Sequence, residues 1–147
     1  MKKQNKVIDD LIETLKDGQQ GFKEAAESVK DAQLKSLFNE CSQQRARFLV
    51  ELRSNAQNPG EREPDVSGSA AGALHRGWIN LKSALSRGDN HAILAECERG
   101  EDSAVEEYQK ALNDGLSAPV REIVSRQYTQ IKATHDRIRD LRDATKG

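Results

Sequence analysis

Apolar side chains recur every three or four residues along most of this 147-residue chain, the spacing that gathers them on one face of an α-helix. Ile8, Leu11, Ile12, Leu15, Phe22, Ala25, Ala26 and Val29 predict a first helix over 4–29. Leu34, Leu37, Phe38, Cys41, Phe48, Leu49 and Leu52 predict a second over 32–56. Leu74, Trp78, Leu81 and Leu85 form a shorter stripe over 70–86. Leu94, Cys97, Ala104, Val105, Tyr108, Ala111 and Leu112 predict a helix over 90–113. Val120, Ile123, Val124, Tyr128, Ile131, Ile138 and Leu141 predict the last, over 118–144. No segment alternates with period two over a useful length, so no strand is expected.

Proline and glycine divide these stripes. Pro59, Pro64 and Pro119 are the three prolines, so the first 58 residues have room for two long helices. Asn58–Gly68 reads as the one long loop, with shorter breaks at Arg87–Asn90 and Asp114–Ser117. Asp31 and Ser117 occupy N-cap positions 86 residues apart. The same offset pairs Phe22 with Tyr108, Leu37 with Ile123, Phe38 with Val124 and Leu52 with Ile138. The expected architecture is therefore all-α. It is one domain over 1–147, a four-helix bundle of two antiparallel hairpins, with a long loop and a short extra crossover helix at about 57–88.

Composition explains how narrow those stripes are. Hydrophobic residues make up 35% and charged residues 32%, which suits thin apolar faces under a charged exterior. The 23 basic and 24 acidic side chains are interspersed, so neither nucleic acid nor an anionic membrane is an expected partner. No apolar run approaches the roughly 20 residues of a membrane span. The opening Met1-Lys2-Lys3-Gln4-Asn5-Lys6 leads into charged amphipathic sequence, which predicts a cytoplasmic protein. Cys41 and Cys97 lie on apolar stripes without metal-ligand spacing, and read as small buried thiols.

Two central motifs, Ala73-Leu-His-Arg-Gly-Trp-Ile-Asn-Leu-Lys82 and Ile93-Leu-Ala-Glu-Cys-Glu-Arg-Gly-Glu-Asp102, carry a resemblance. With Leu15–Ala26 and Gln127–His135 they resemble an uncharacterised bacterial family of ferritin-like four-helix bundles, a domain of unknown function. The resemblance implies fold and a bacterial setting, and no activity. Di-iron members of the wider superfamily place a Glu on helices 1 and 3 and a Glu-x-x-His on helices 2 and 4. Here the corresponding places hold Leu15, Gln44-Arg-Ala-Arg47, Glu101 and Lys132-Ala-Thr-His135. That set is too poor in carboxylates for such a centre, so no cofactor is expected. The alternative is an iron or manganese protein, binding or oxidising through Glu98, Glu101 and His135.

Polar residues on apolar stripes are the remaining candidates. Glu101 stands between Cys97 and Val105, and Arg45 between Cys41 and Leu49, so both face inward at about the same height. A buried carboxylate is too costly to leave alone, and an Arg fork satisfies it. A structural Arg45–Glu101 pair is expected, with Tyr108 or Tyr128 adding a hydroxyl. His135 falls one turn along, near Glu98, and His91 reads as surface. On the crossover, Trp78 should anchor its helix, flanked by His75, Arg76 and Asn80 as a candidate anion or partner site. No nucleophile–base set or Gly-rich phosphate loop is present. The chain thus reads as a non-catalytic, stress-associated interaction module, with a second copy of itself as a candidate partner.

Overall fold

The computed structural model describes residues 2–56, Trp78 and residues 80–145. Among the described residues there are helices and no strands: α1 (Lys2–Ser28), α2 (Ala32–Ala56), α3 (Leu81–Arg87), α4 (Asn90–Leu112) and α5 (Ala118–Ala144). The protein is all-α, as the period-3.6 stripes require. None of these helices is long and apolar enough to cross a membrane.

Local chemistry sets the helix ends. The Asp31 carboxylate accepts the Leu34 amide at 3.0 Å and starts α2. Gly88, at φ 66°, turns the chain out of α3 in the left-handed conformation that favours glycine. Asp89 then caps α4 by accepting the His91 amide at 3.0 Å. Ser117, the counterpart of Asp31, holds an extended backbone at the start of α5, but its hydroxyl makes no cap bond. Its amide instead donates to the Gln4 side chain at 2.7 Å, which ties α5 to the first turn of α1.

Of the helix expected over 70–86, residues 70–77 lie outside the described residues; α3 begins at Leu81, and Trp78, which the stripe places within a helix, is in non-helical conformation. The Asn80 amide donates to the Glu96 carboxylate at 2.8 Å rather than to a preceding helical carbonyl, so a side chain of α4 fixes where α3 starts. Leu74, His75 and Arg76 lie outside the described residues.

α1 packs on α2 and α4 on α5, and the α1–α4 and α2–α5 contacts close the bundle. Two apolar clusters fill it. One joins Val7–Leu15 of α1, Phe48–Leu52 of α2, Ala104–Ala111 of α4 and Val120–Ile131 of α5. The other joins Phe22–Val29, Leu34–Cys41, Ile93–Cys97 and Ile138, with Trp78 and Leu81. Neighbouring helices therefore run antiparallel. α2 ends at the first cluster, and the chain is next described at Trp78, at the second. Between the clusters the inward positions are Gly18, Arg45 and Glu101, a polar layer across the middle of the bundle.

Candidate functional site

Arg45 on α2 and Glu101 on α4 meet in that layer, each 1% exposed. The guanidinium donates from Nη1 to Oε1 and from Nη2 to Oε2, both at 2.7 Å, the fork geometry that satisfies a carboxylate with two parallel bonds. Its carbon stands 5.4 Å from the centroid of the Phe22 ring. Opposite, the Cα of Gly18 leaves space for the Arg45 stem, whose Cγ lies 3.5 Å from where a Cβ would sit. Burial pushes the Glu101 carboxyl up to about 7, and the adjacent Arg45 charge opposes the shift. The buried Arg45 Nε has no hydrogen-bond partner among the described residues, so the fork satisfies the carboxylate but not the whole guanidinium. Leu15, Gly18, Trp78, Gly100 and Ala104 close round the pair and leave no water-sized space.

Neither tyrosine hydroxyl reaches this pair. Tyr108 is fully buried two helical turns beyond Glu101, and donates to Gln127 Oε1 at 2.7 Å. Gln127 passes the chain of bonds outward, donating to the Phe48 carbonyl at 3.2 Å and to Glu51 at 2.8 Å. Glu51 also pairs with Arg126 at 2.7 Å, and these bonds hold its carboxyl below the usual carboxylate range. Tyr128 is half-buried and accepts from Gln109 at 3.0 Å. Phase along α5 separates it from the layer.

Trp78 is 2% exposed and stands edge-on to Phe22, with ring centroids 5.0 Å apart. Gly21 of α1 and Gly100 of α4 form its slot: a Cβ on either would overlap the indole. The apolar stripes do not mark this slot. Its signal in the sequence is that Gly21 lies beside Phe22 and Gly100 beside Glu101, where the stripes have no other large side chain. Asn80 is exposed and contributes its amide to Glu96, which is itself 3% exposed. Trp78 and Asn80 therefore serve the docking of the crossover onto α4.

A second charged cluster occupies the outer seam of α4 and α5. His135 Nε2 lies 2.5 Å from Asp102 Oδ1 and 3.8 Å from Glu98 Oε2. Its Nδ1 is 2.9 Å from Asp136 Oδ1. Lys132 donates to Asp136 at 2.8 Å, and Arg139 approaches the same carboxylate at 3.5 Å. Arg142 pairs with Glu98 Oε1. Burial lowers the His135 pKa, and the bonds to Asp136 and Asp102 more than offset it, so the ring titrates above the usual histidine value. Lys132 and His135 hold Asp136 down at about 2. Glu101 does not join this cluster, because both of its oxygens are taken by Arg45. Asp102 takes that place, a residue the inward stripes do not mark. His91 is half-buried rather than superficial, with Nδ1 2.9 Å from Thr145 Oγ1.

The cysteines offer no nucleophile. Burial pushes the Cys41 thiol up to about 12 and Cys97 well above its ordinary value, so both stay protonated at neutral pH.

With this geometry in view, the sequence matches the family described as a domain of unknown function, DUF2383, over residues 3–114. The chain belongs to that family. The DUF2383 match spans α1 to α4 and so includes Arg45, Trp78, Glu98, Glu101 and Asp102. His135, Asp136 and Arg142 lie beyond it, on α5. No curated protein matches the sequence.

Proposed function

We propose that this DUF2383 protein is a ferritin-like bundle acting as a non-catalytic interaction module, in which an Arg45–Glu101 ion pair stands where a di-metal centre would be. The observation carrying this reading is the bidentate bond at 2.7 Å between two side chains each 1% exposed. The donor set at that height does not fit two metal ions. α1 offers Leu15 and Gly18 with the buried Asp17 beside them, α2 offers a cation, and the Glu101 carboxylate is already neutralised by it, so carboxylates are too few for two ions. Arg47 is exposed, and Lys132 is engaged by Asp136, so neither α2 nor α5 brings a further ligand inward. A closed interior and protonated thiols leave the exterior as the working surface. The arrangement of two antiparallel hairpins, with the second entering from the opposite end, supports the ferritin-like reading.

Aerobic oxidation of Fe2+ in the presence of the chelator-stripped protein tests it. The expected rate is that of buffer alone. Accelerated oxidation that is lost in Glu101→Gln but retained in His135→Ala would place a redox centre inside the bundle and overturn the reading.

A further inference from the structure

We infer that Glu98, Asp102 and His135 form a binding site for one divalent first-row transition-metal ion at the outer seam of α4 and α5. One ligand atom from each residue can be chosen so that all three lie within 4.8 Å of one another. Glu98 and Asp102 are one turn apart on α4 and so share a face, and His135 reaches them from α5. A tetrahedral ion bonded at about 2.0–2.1 Å to each would separate its ligand atoms by about 3.3 Å. The observed 2.5 Å and 3.8 Å from His135 Nε2 fall on either side of that value. Accommodating an ion thus asks Glu98 to close by about 0.5 Å and Asp102, whose side chain is 57% exposed, to draw back by about 0.8 Å.

The surrounding residues orient these ligands as a metal site requires. Asp136 accepts from Nδ1 of His135, which leaves Nε2 as the coordinating nitrogen once its proton is displaced. Arg142 holds Oε1 of Glu98, aiming Oε2 at the imidazole. Lys132 and Arg139 fix Asp136 in turn. One imidazole with two carboxylates is a borderline donor set, suited to Zn2+, Mn2+ or Fe2+ rather than to an alkaline-earth ion. His135 and Glu98 side chains are only 12% and 11% exposed, while Asp102 faces solvent, so an ion would enter from that side and keep an open coordination position. The site is distinct from the bundle centre, and its failure leaves the reading of the Arg45–Glu101 pair untouched.

Calorimetric titration of the full chain, stripped with chelator, with Zn2+ and separately with Mn2+ tests the inference. One ion per chain is expected for at least one of the two metals. His135→Ala and Asp102→Asn should each weaken it at least tenfold, and Asp136→Asn about 10–100-fold, as removal of an orienting carboxylate does. Co2+ should give a visible absorption band that disappears in His135→Ala. His91→Ala, which removes an imidazole that meets the Arg142 carbonyl and the Thr145 hydroxyl, should leave binding unchanged. Because Asp102 is exposed, its variant folds and keeps the result decisive even if His135→Ala does not. Absence of stoichiometric binding, or binding indifferent to Asp102→Asn, would overturn the inference.

Discussion

Glu101 and Asp102 are neighbours in sequence, yet they belong to opposite regions of the molecule. Glu101 is 1% exposed and locked in a fork by Arg45, whereas the Asp102 side chain is 57% exposed and meets His135 at the outer seam. One residue of α-helix rotates the side-chain direction by about 100°, and that step separates a buried ion pair from a solvent-facing cluster. The two regions also treat charge differently. In the centre, a carboxylate that loses Arg45 has no water to turn to, so each partner is held at the cost of the other's isolation. At the seam, water and three further cations share the work, and no single bond is indispensable.

The sharpest way to break this contrast is to remove one member of the central pair. Arg45→Leu or Glu101→Leu should each destabilise by about 3–5 kcal/mol, because an uncompensated charge remains buried. The double variant should lose much less. Thermal or denaturant unfolding of all four proteins checks this, and additive single effects would show that the pair is not a unit.

Trp78 tests whether the closed centre depends on the crossover. Trp78→Ala should cost about 3–5 kcal/mol, the range for large aromatic truncations in cores. Gly100→Ala, which forces a Cβ into the indole, should cost about 1–3 kcal/mol by overpacking. An unchanged melting temperature in Trp78→Ala, or emission of a water-exposed indole in the wild type, would detach the crossover from the bundle.

Asp102→Asn addresses the other side of the comparison. In metal-free protein it should change stability by less than about 1 kcal/mol, in keeping with an exposed pair. A loss as large as that of Glu101→Leu would erase the distinction between the two regions.

The smallest effect concerns Glu51, at the outer end of the Tyr108–Gln127 chain. Arg126 and Gln127 hold its folded pKa below the ordinary 4.5. A depressed carboxylate pKa means that the unfolded chain binds the proton more readily. The stabilisation is therefore fully present above about pH 4.5 and fades as pH falls through the folded value. Melting curves of wild type and Glu51→Gln should differ slightly at pH 7 and converge in acid. A gap that widens on acidification would reverse the sign.

Much of this architecture is legible along the chain. The stripes through Ile8–Val29, Leu34–Leu52, Leu94–Leu112 and Val120–Leu141 predict the long helices to within a few residues, because burying one face of a helix demands that spacing. Arg45 and Glu101 interrupt those stripes visibly, and an inward cation and an inward anion at the same height require each other on energetic grounds alone. Trp78 is readable as an anchor, but not as a residue outside the helix: the Asn80 amide goes to Glu96, sixteen positions away, and local spacing carries no trace of that bond.

What the amino-acid order determined, then, is which face of each long helix turns inward and where polar side chains must interrupt it, since period and burial are properties of a single helix. Tertiary structure decided the rest. The slot of Gly21 and Gly100 around Trp78 exists only where α1 and α4 approach. The meeting of Asp102, Glu98 and His135 depends on the rotation of α4 against α5 to within a fraction of a turn. Such phases are set by the packing of all the helices together, and no one stripe contains them.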